Sequence, residues 1–164
     1  MSNTLKIALL ALVGAVCAVG AAQAVVSFDP SHHLGAAATV DEPQPASIAK
    51  GQDGHYWANA SVNGAPVRFL VDTGASAVAL TLKDAQRLGI DPAGLKFSYK
   101  VMTASGEARG AAVKLASLSV GDAHMSDVDA LVLDKGLDTS LLGMTYLGRL
   151  SSFQATRTAL ILHP

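Results

Sequence analysis

The chain has 164 residues, enough for one ordinary domain with extensions and for a sizeable buried core. Its net charge is −1 and no run of Lys or Arg follows the chain, which leaves nucleic-acid binding without an electrostatic footprint. Half of the residues are apolar, with alanine supplying much of that half, and the single Cys17 excludes an internal disulfide.

The first predicted element is hydrophobic. From Ile7 to Ala22 the sequence IALLALVGAVCAVGAA carries no charge, Lys6 and the amino terminus precede it, and no further Lys or Arg occurs until Lys50. The positive-inside bias keeps the tail cytoplasmic and exports the rest of the chain, so the expected location is extracytoplasmic, in the periplasm. Ala22-Gln23-Ala24 has the small-x-small form of a signal-peptidase site, yet read through Val26 the run is also long enough to span a bilayer. A cleaved signal and an inner-membrane anchor over 1–26 both stand, and both deliver the chain to one compartment. Lipidation at Cys17 fits poorly, because Val16 occupies a position that calls for a small residue.

Residues 27–53 contain Pro30, Pro43 and Pro45, show no sustained period and are rich in small and polar residues, which predicts a disordered linker. His32 and His33 have no Cys or acid at ligand spacing, so they read as a solvated pair, and no metal or other cofactor is expected.

From residue 54 to 164 the pattern is β. Two apolar-rich runs flank Asn63-Gly64, a dipeptide that favours a type I′ turn, and predict a hairpin. A strand over Val78 to Leu82 precedes a short helix from Lys83 to Leu88 that Gly89 ends. Two strands are expected around Ala104-Ser105-Gly106, with alternation continuing through Val113, Leu115, Leu118 and Val120. VDALVLD is a further buried strand, SLLGMTYLGRL passes from strand to short helix, and Leu160 to Leu162 is the last strand. Many short strands with turn signals between them imply a small closed or nearly closed β domain, and no internal repeat shows.

One stretch carries chemistry. In RFLVDTGASAVALT, Phe69 to Val71 run straight into Asp72-Thr73-Gly74, and a carboxylate at the end of a buried strand is costly unless something uses it. The run resembles the active-site loop of aspartic proteases. In that family the acid activates water, the glycine lets the backbone turn tightly, the threonine hydroxyl bonds across a symmetry axis, and small residues such as Ala75 and Ser76 leave space for a peptide. Leu141-Leu142-Gly143 is similar to the hydrophobic-hydrophobic-glycine stretch that packs behind this loop. Thr103 to Gly110 occupies the place of the substrate-covering flap, with Ala104, Ser105 and Gly106 about its tip. Order and spacing resemble retropepsin-like proteases, and more closely the bacterial single-domain, membrane-associated or periplasmic group of PerP type. The resemblance covers 54–164, about two-thirds of the chain. It implies an all-β closed barrel with one or two short helices, and aspartic endopeptidase activity.

Such chemistry needs two carboxylates that share a proton. The rival within the chain, Asp138-Thr139-Ser140, lacks both the apolar strand leading in and the glycine, so Asp138 reads as a loop residue or local cap. Each subunit of a twofold homodimer would then contribute one Asp72. By match, Thr73 is the inter-subunit hydrogen bonder and Gly74 the backbone against dyad and substrate. Ala75 stands where two-lobed relatives usually have a hydroxyl, and Ser76 replaces an acid that the retroviral enzymes often carry. Leu142 and Gly143 support the loop.

The expected partners are the second subunit, a protein or peptide substrate such as an exported segment of a membrane protein, and the membrane itself if the N-terminal segment is retained. The alternative is a retropepsin-fold dimerisation or peptide-binding module that does not hydrolyse. Neither H-E-x-x-H nor G-x-S-x-G occurs, which argues against a metallopeptidase or serine hydrolase. Trp57 reads as a core or interface anchor, and the Met residues as core or flap packing.

Overall fold

The structure, a computed structural model, describes residues 44–164. In chain order its strands are β1 (Ala46–Ala49), β2 (Trp57–Val62), β3 (Ala65–Val71), β4 (Val78–Leu80), β5 (Tyr99–Thr103), β6 (Gly106–Val120), β7 (Ala123–Leu133), β8 (Ser140–Leu142), β9 (Ser152–Ala155) and β10 (Ala159–His163). Helix α1 (Leu82–Arg87) follows β4, and α2 (Met144–Leu147) follows β8.

Strands β2 and β3 are joined by Asn63 and Gly64 at φ of 49° and 84°, the doubly left-handed geometry of the type I′ turn expected there. In β2 Ala58, Ala60 and Val62 are buried while Asn59 and Ser61 are exposed, so period-2 alternation sets which face looks inward. β3 runs parallel to β8, β8 antiparallel to β4, β4 parallel to β7, and β7 antiparallel to β6. Ser61 opposite Ser119 and Val62 opposite Leu118 then pair β2 with β6 and close the ring. The result is the closed β barrel with two short helices that the resemblance implies, and closure removes the free edges that an open sheet leaves exposed. β4 is buried at all three positions, as a strand with neighbours on both sides and cover on both faces must be. β5 lies outside the ring, paired among the described strands only with β6, and projects as a hairpin.

The alternation expected in β6 breaks in its middle. Leu115 and Leu118 are both buried although strict alternation would put them on opposite faces, and β7 switches likewise between Met125 and Val128. Asp127, with φ of 53°, sits at the switch, and the Arg149 guanidinium bonds the Ser126 and Asp127 carbonyls at 2.7 and 3.3 Å. The long hairpin thereby feeds two walls of the barrel with one pair of strands. Tyr146 of α2 is fully buried beneath it, its hydroxyl donating to the Ala123 carbonyl at 2.6 Å, and burial pushes its pKa up to about 12.

A second sheet, β1-β10-β9, corrects the domain boundary. Ala46–Ala49 lies inside the stretch expected as linker, but it pairs antiparallel with β10 from Ala46 opposite Leu162 to Ala49 opposite Ala159. Ile48 is buried with Leu160 and Leu162. A four-residue strand with one large apolar side chain, next to Pro43 and Pro45, has too short a pattern to stand out, and β9 escaped notice for the same reason. The hydrophobic segment over 1–26, His32 and His33 lie outside the described residues. Among the described residues no helix is long and apolar enough to cross a membrane, and no group of three or more His, Cys, Asp or Glu could hold a metal ion.

Candidate active site

Asp72 follows the last residue of β3, where the strand leaves the barrel. Its backbone N–H donates to the Leu142 carbonyl at 3.2 Å, extending the β3–β8 pairing by one residue, and its own carbonyl accepts from Ala75 at 3.3 Å. The Gly74 N–H donates to Asp72 Oδ1 at 2.8 Å, an Asx turn that holds the carboxylate against its own loop. Oδ2 takes no hydrogen bond from the described residues, in keeping with Ala75 bringing no hydroxyl. Thr73 is exposed and its hydroxyl is likewise unbonded within the described chain.

Leu142 and Gly143 sit behind this loop. Val71 is opposite Leu142 in the parallel register, which places Gly143 next to Asp72. A Cβ on Gly143 would lie 2.7 Å from the Ala75 oxygen and 2.6 Å from the Ala77 carbonyl carbon, so only glycine fits. The next residue, Met144, donates its N–H to the Ala75 carbonyl at 2.9 Å, and Thr145 Oγ1 accepts the Val78 N–H at 2.8 Å. The turn into α2 therefore bonds both arms of the Asp72 loop. Sequence reasoning missed Thr145, although a hydroxyl two residues past a motif glycine was its visible mark.

The loop opens onto a cleft of about 550 Å³. Asp72, Gly74, Ala75 and Ser76 contribute to one wall, and the β5 end of the projecting hairpin, including Ala104 and Ser105, contributes to the other. Leu70, Leu131, Leu133 and Leu141 supply apolar surface between them. Thr103 is paired with Gly106, so the two-residue tip is Ala104-Ser105, and Gly106 is instead the first residue of β6, at φ of 107°. The Thr103 hydroxyl ties the tip by donating to the Gly106 carbonyl at 2.9 Å and accepting the Ser105 N–H at 3.2 Å.

Asp138 also lines the cleft, at the end of β8 away from Gly143, so the two carboxylates stand at opposite ends of one strand and do not form a dyad. It is a loop residue, as expected, but not a cap, since it makes no hydrogen bond among the described residues. Ser140 is the structural member of that triplet. It is fully buried, donates to Asp84 Oδ2 at 2.6 Å and accepts the Thr81 N–H at 3.1 Å, joining β8 to the N-terminus of α1, where Thr81 caps the Asp84 N–H.

Trp57 is not a core residue. It is half-buried at the start of β2, its Nε1 donates to Asp53 Oδ2 at 2.8 Å, and the Arg68 guanidinium stands 4.4 Å from the ring centroid. The His55 N–H and then the Trp57 indole hold the Asp53 carboxyl below its usual range. Of the Met residues, Met125 is core and Met102 is 77% exposed on the hairpin beside the cleft. His124 bonds Ser119 across β6–β7 at 2.7 Å, on an exposed face and outside the cleft.

Comparison with known proteins agrees with this geometry. The model of the gag-polyprotein putative aspartyl protease family matches residues 58–149, a span that includes the Asp72 loop, the Thr103–Gly106 hairpin and Gly143. The crystal structure of a retropepsin-like aspartic protease from Rickettsia conorii is 41% identical, covering 74% of this chain and 100% of that one at a TM-score of 0.68. An uncharacterized protein from the cobV 5′ region of a Sinorhizobium species is 45% identical over 112 residues, 68% of this chain and 48% of that protein. An uncharacterized protein of Rickettsia prowazekii is 42% identical over 116 residues, 71% and 50% of the two chains. The chain thus spans about half the length of these two relatives. The family match spans more than half of the chain and the Rickettsia conorii structure is covered in full, and the chain belongs to the retropepsin-like gag-polyprotein putative aspartyl protease family.

Proposed function

We propose that the protein is an aspartic endopeptidase whose active site forms at the twofold axis of a homodimer, with one Asp72 from each chain. The observation that carries this reading is that Asp72 stands on the wall of an open cleft, beneath a hairpin, with no second carboxylate beside it among the described residues. Retropepsin-like proteases commonly act as homodimers, which supports the same arrangement. Two Asp72 carboxylates brought together cannot both ionise and so share one proton. The ionised member takes a proton from the attacking water while the protonated member donates to the scissile carbonyl oxygen. The tetrahedral diol collapses when a proton passes to the leaving nitrogen, and the C–N bond breaks. The free Thr73 hydroxyl is available for a bond across the axis, and the Thr103–Gly106 hairpin closes over the peptide as a lid.

The charge pattern of the N-terminal segment supports a site of action outside the cytoplasmic membrane, as in PerP-type proteases, with exported segments of membrane proteins as natural substrates. The test is whether the purified full chain cuts an unfolded protein at mildly acid pH, with inhibition by a statine-type compound. Asp72→Asn should abolish cleavage while peptide binding persists. A wild-type chain that binds peptide and never cuts it is a binding module instead.

A further inference from the structure

Among the described residues the cleft is charged at two points only. Its lining is otherwise apolar or neutral, with Leu70, Leu137 and Leu141 among it, and its charged members are Asp72 and Asp138, with no Lys or Arg. Asp138 is exposed and makes no hydrogen bond or ion pair among the described residues. It also borders a smaller cavity of about 270 Å³ that Lys83, Asp134 and Lys135 help to line, yet neither lysine forms an ion pair with it. We propose that Asp138 is a specificity-determining residue that selects a Lys or Arg side chain in the substrate, and that the dimer applies this selection on both sides of the scissile bond.

The inference rests on Asp72 being the catalytic acid of a twofold site. A peptide filling the cleft removes water from Asp138, and a carboxylate desolvated without a partner costs free energy that a neutral side chain does not return. A cation does return it, and the low-dielectric walls concentrate the attraction. The stem of a Lys or Arg can lie along the leucines while its head reaches the carboxylate.

Geometry fixes where along the substrate this happens. Asp138 lies two residues before β8, and Gly143, immediately after that strand, lies next to Asp72. An extended substrate advances about 3.3 Å per residue, as β8 does, so the selected side chain belongs to the first few residues from the cut. The twofold axis passes between the two copies of Asp72, and one Asp138 therefore stands on each side.

The test digests a proteome-derived peptide library with the full chain and reads the cut sites by mass spectrometry. Lys and Arg should be enriched at positions mirrored about the scissile bond. Asp138→Asn should erase the enrichment, and Asp138→Lys should replace it with Asp and Glu. For two fluorogenic peptides differing by Lys against norleucine at the enriched position, the wild-type kcat/KM ratio should be about fivefold, the upper end for a partly exposed ion pair. It should approach unity in Asp138→Asn and shrink with added salt. Cleavage with no cation preference, or a preference that survives Asp138→Asn, overturns the inference and leaves the protease reading intact. A wild-type chain that cuts nothing sinks the protease reading, and fluorescence anisotropy of the same two peptides then decides selection alone: equal affinities overturn it, and a Lys preference lost in Asp138→Asn supports it.

Discussion

Gly143→Ala tests whether the Asp72 loop is held by contact with β8 and α2. The new methyl would meet the Ala75 oxygen at 2.7 Å and the Ala77 carbonyl carbon at 2.6 Å, where ordinary contact begins at 3.4 Å. Both neighbours are backbone, so no rotamer change relieves the overlap. The Ala77 carbonyl oxygen lies closer still, so the loop must retreat by about 1 Å, and overpacking of this kind costs about 1–3 kcal/mol. Retreat also strains the Met144 N–H bond to Ala75 and the Asp72 N–H bond to Leu142, at 2.9 and 3.2 Å. Weakening that pair adds about 1 kcal/mol, for a total of about 2–4 kcal/mol. For a folded unit of this size that lowers Tm by about 6–16 °C. Because a misplacement near 1 Å can cost about a hundredfold in rate, cleavage should fall by about that factor even where the variant remains folded. Thermal unfolding by circular dichroism and a cleavage assay read the two effects. Gly94→Ala is the control, since its methyl would meet nothing within 4 Å, and it should leave both nearly unchanged. A Gly143→Ala protein with wild-type Tm and wild-type turnover would refute the account of how the loop is positioned.

Mixing wild-type chains with excess Asp72→Asn chains should depress activity below that of simple dilution, because most wild-type chains then sit in heterodimers; activity that tracks wild-type chain count alone contradicts a shared site. Gly106→Val places a β-branched residue at φ of 107° and should strain the hairpin, reducing turnover at least tenfold while size-exclusion chromatography still shows a folded dimer; unchanged turnover would mean that this hairpin is not the lid. Tyr146 titrates at about 12 when folded and near 10 when unfolded, so the stability it contributes is present below pH 10 and is lost as pH rises from 10 towards 12. Chemical denaturation should show wild type weakening across that window and Tyr146→Phe, less stable at neutral pH, staying level through it. Mass spectrometry of the mature N-terminus in membrane fractions should find the intact hydrophobic segment if the domain is tethered; a soluble form beginning at Val25 removes the tether and leaves the catalytic proposal standing.

What the sequence made legible was whatever a local pattern encodes. Asn63-Gly64 announced its turn because that dipeptide tolerates two left-handed residues, and Asp72-Thr73-Gly74 stood out because a buried strand ended in an acid. The face switch in β6 and β7 was not legible, since it depends on the left-handed Asp127 and on Arg149 reaching across to bond the carbonyls there. β1 was hidden because its stability comes from β10, more than a hundred residues away, rather than from its own four residues. Ser140 read as the failed end of a motif, and its role depends on Asp84 and Thr81, which only the fold brings beside it. Asp138 was dismissed for lacking the glycine and leading strand of a catalytic acid, a reading that says nothing of the cleft it lines.

The three residues of β8 connect these parts. Ser140 anchors the strand to α1, Leu141 lines the cleft, and Leu142 holds the Asp72 amide, so alternate demands fall on successive positions of one short element. Its parallel pairing with β3, Phe69 opposite Ser140 and Val71 opposite Leu142, sets the offset between Asp138 and Asp72. A slip of one residue would turn Ser140 away from Asp84 and withdraw Leu142 from the loop together. On the proposed function, the placement of Asp72 and the selection by Asp138 are therefore not independent settings. A change that shifts β8 should alter both, whereas Asp138, outside the strand and without internal bonds, is the position where selection can be altered while the loop stays fixed.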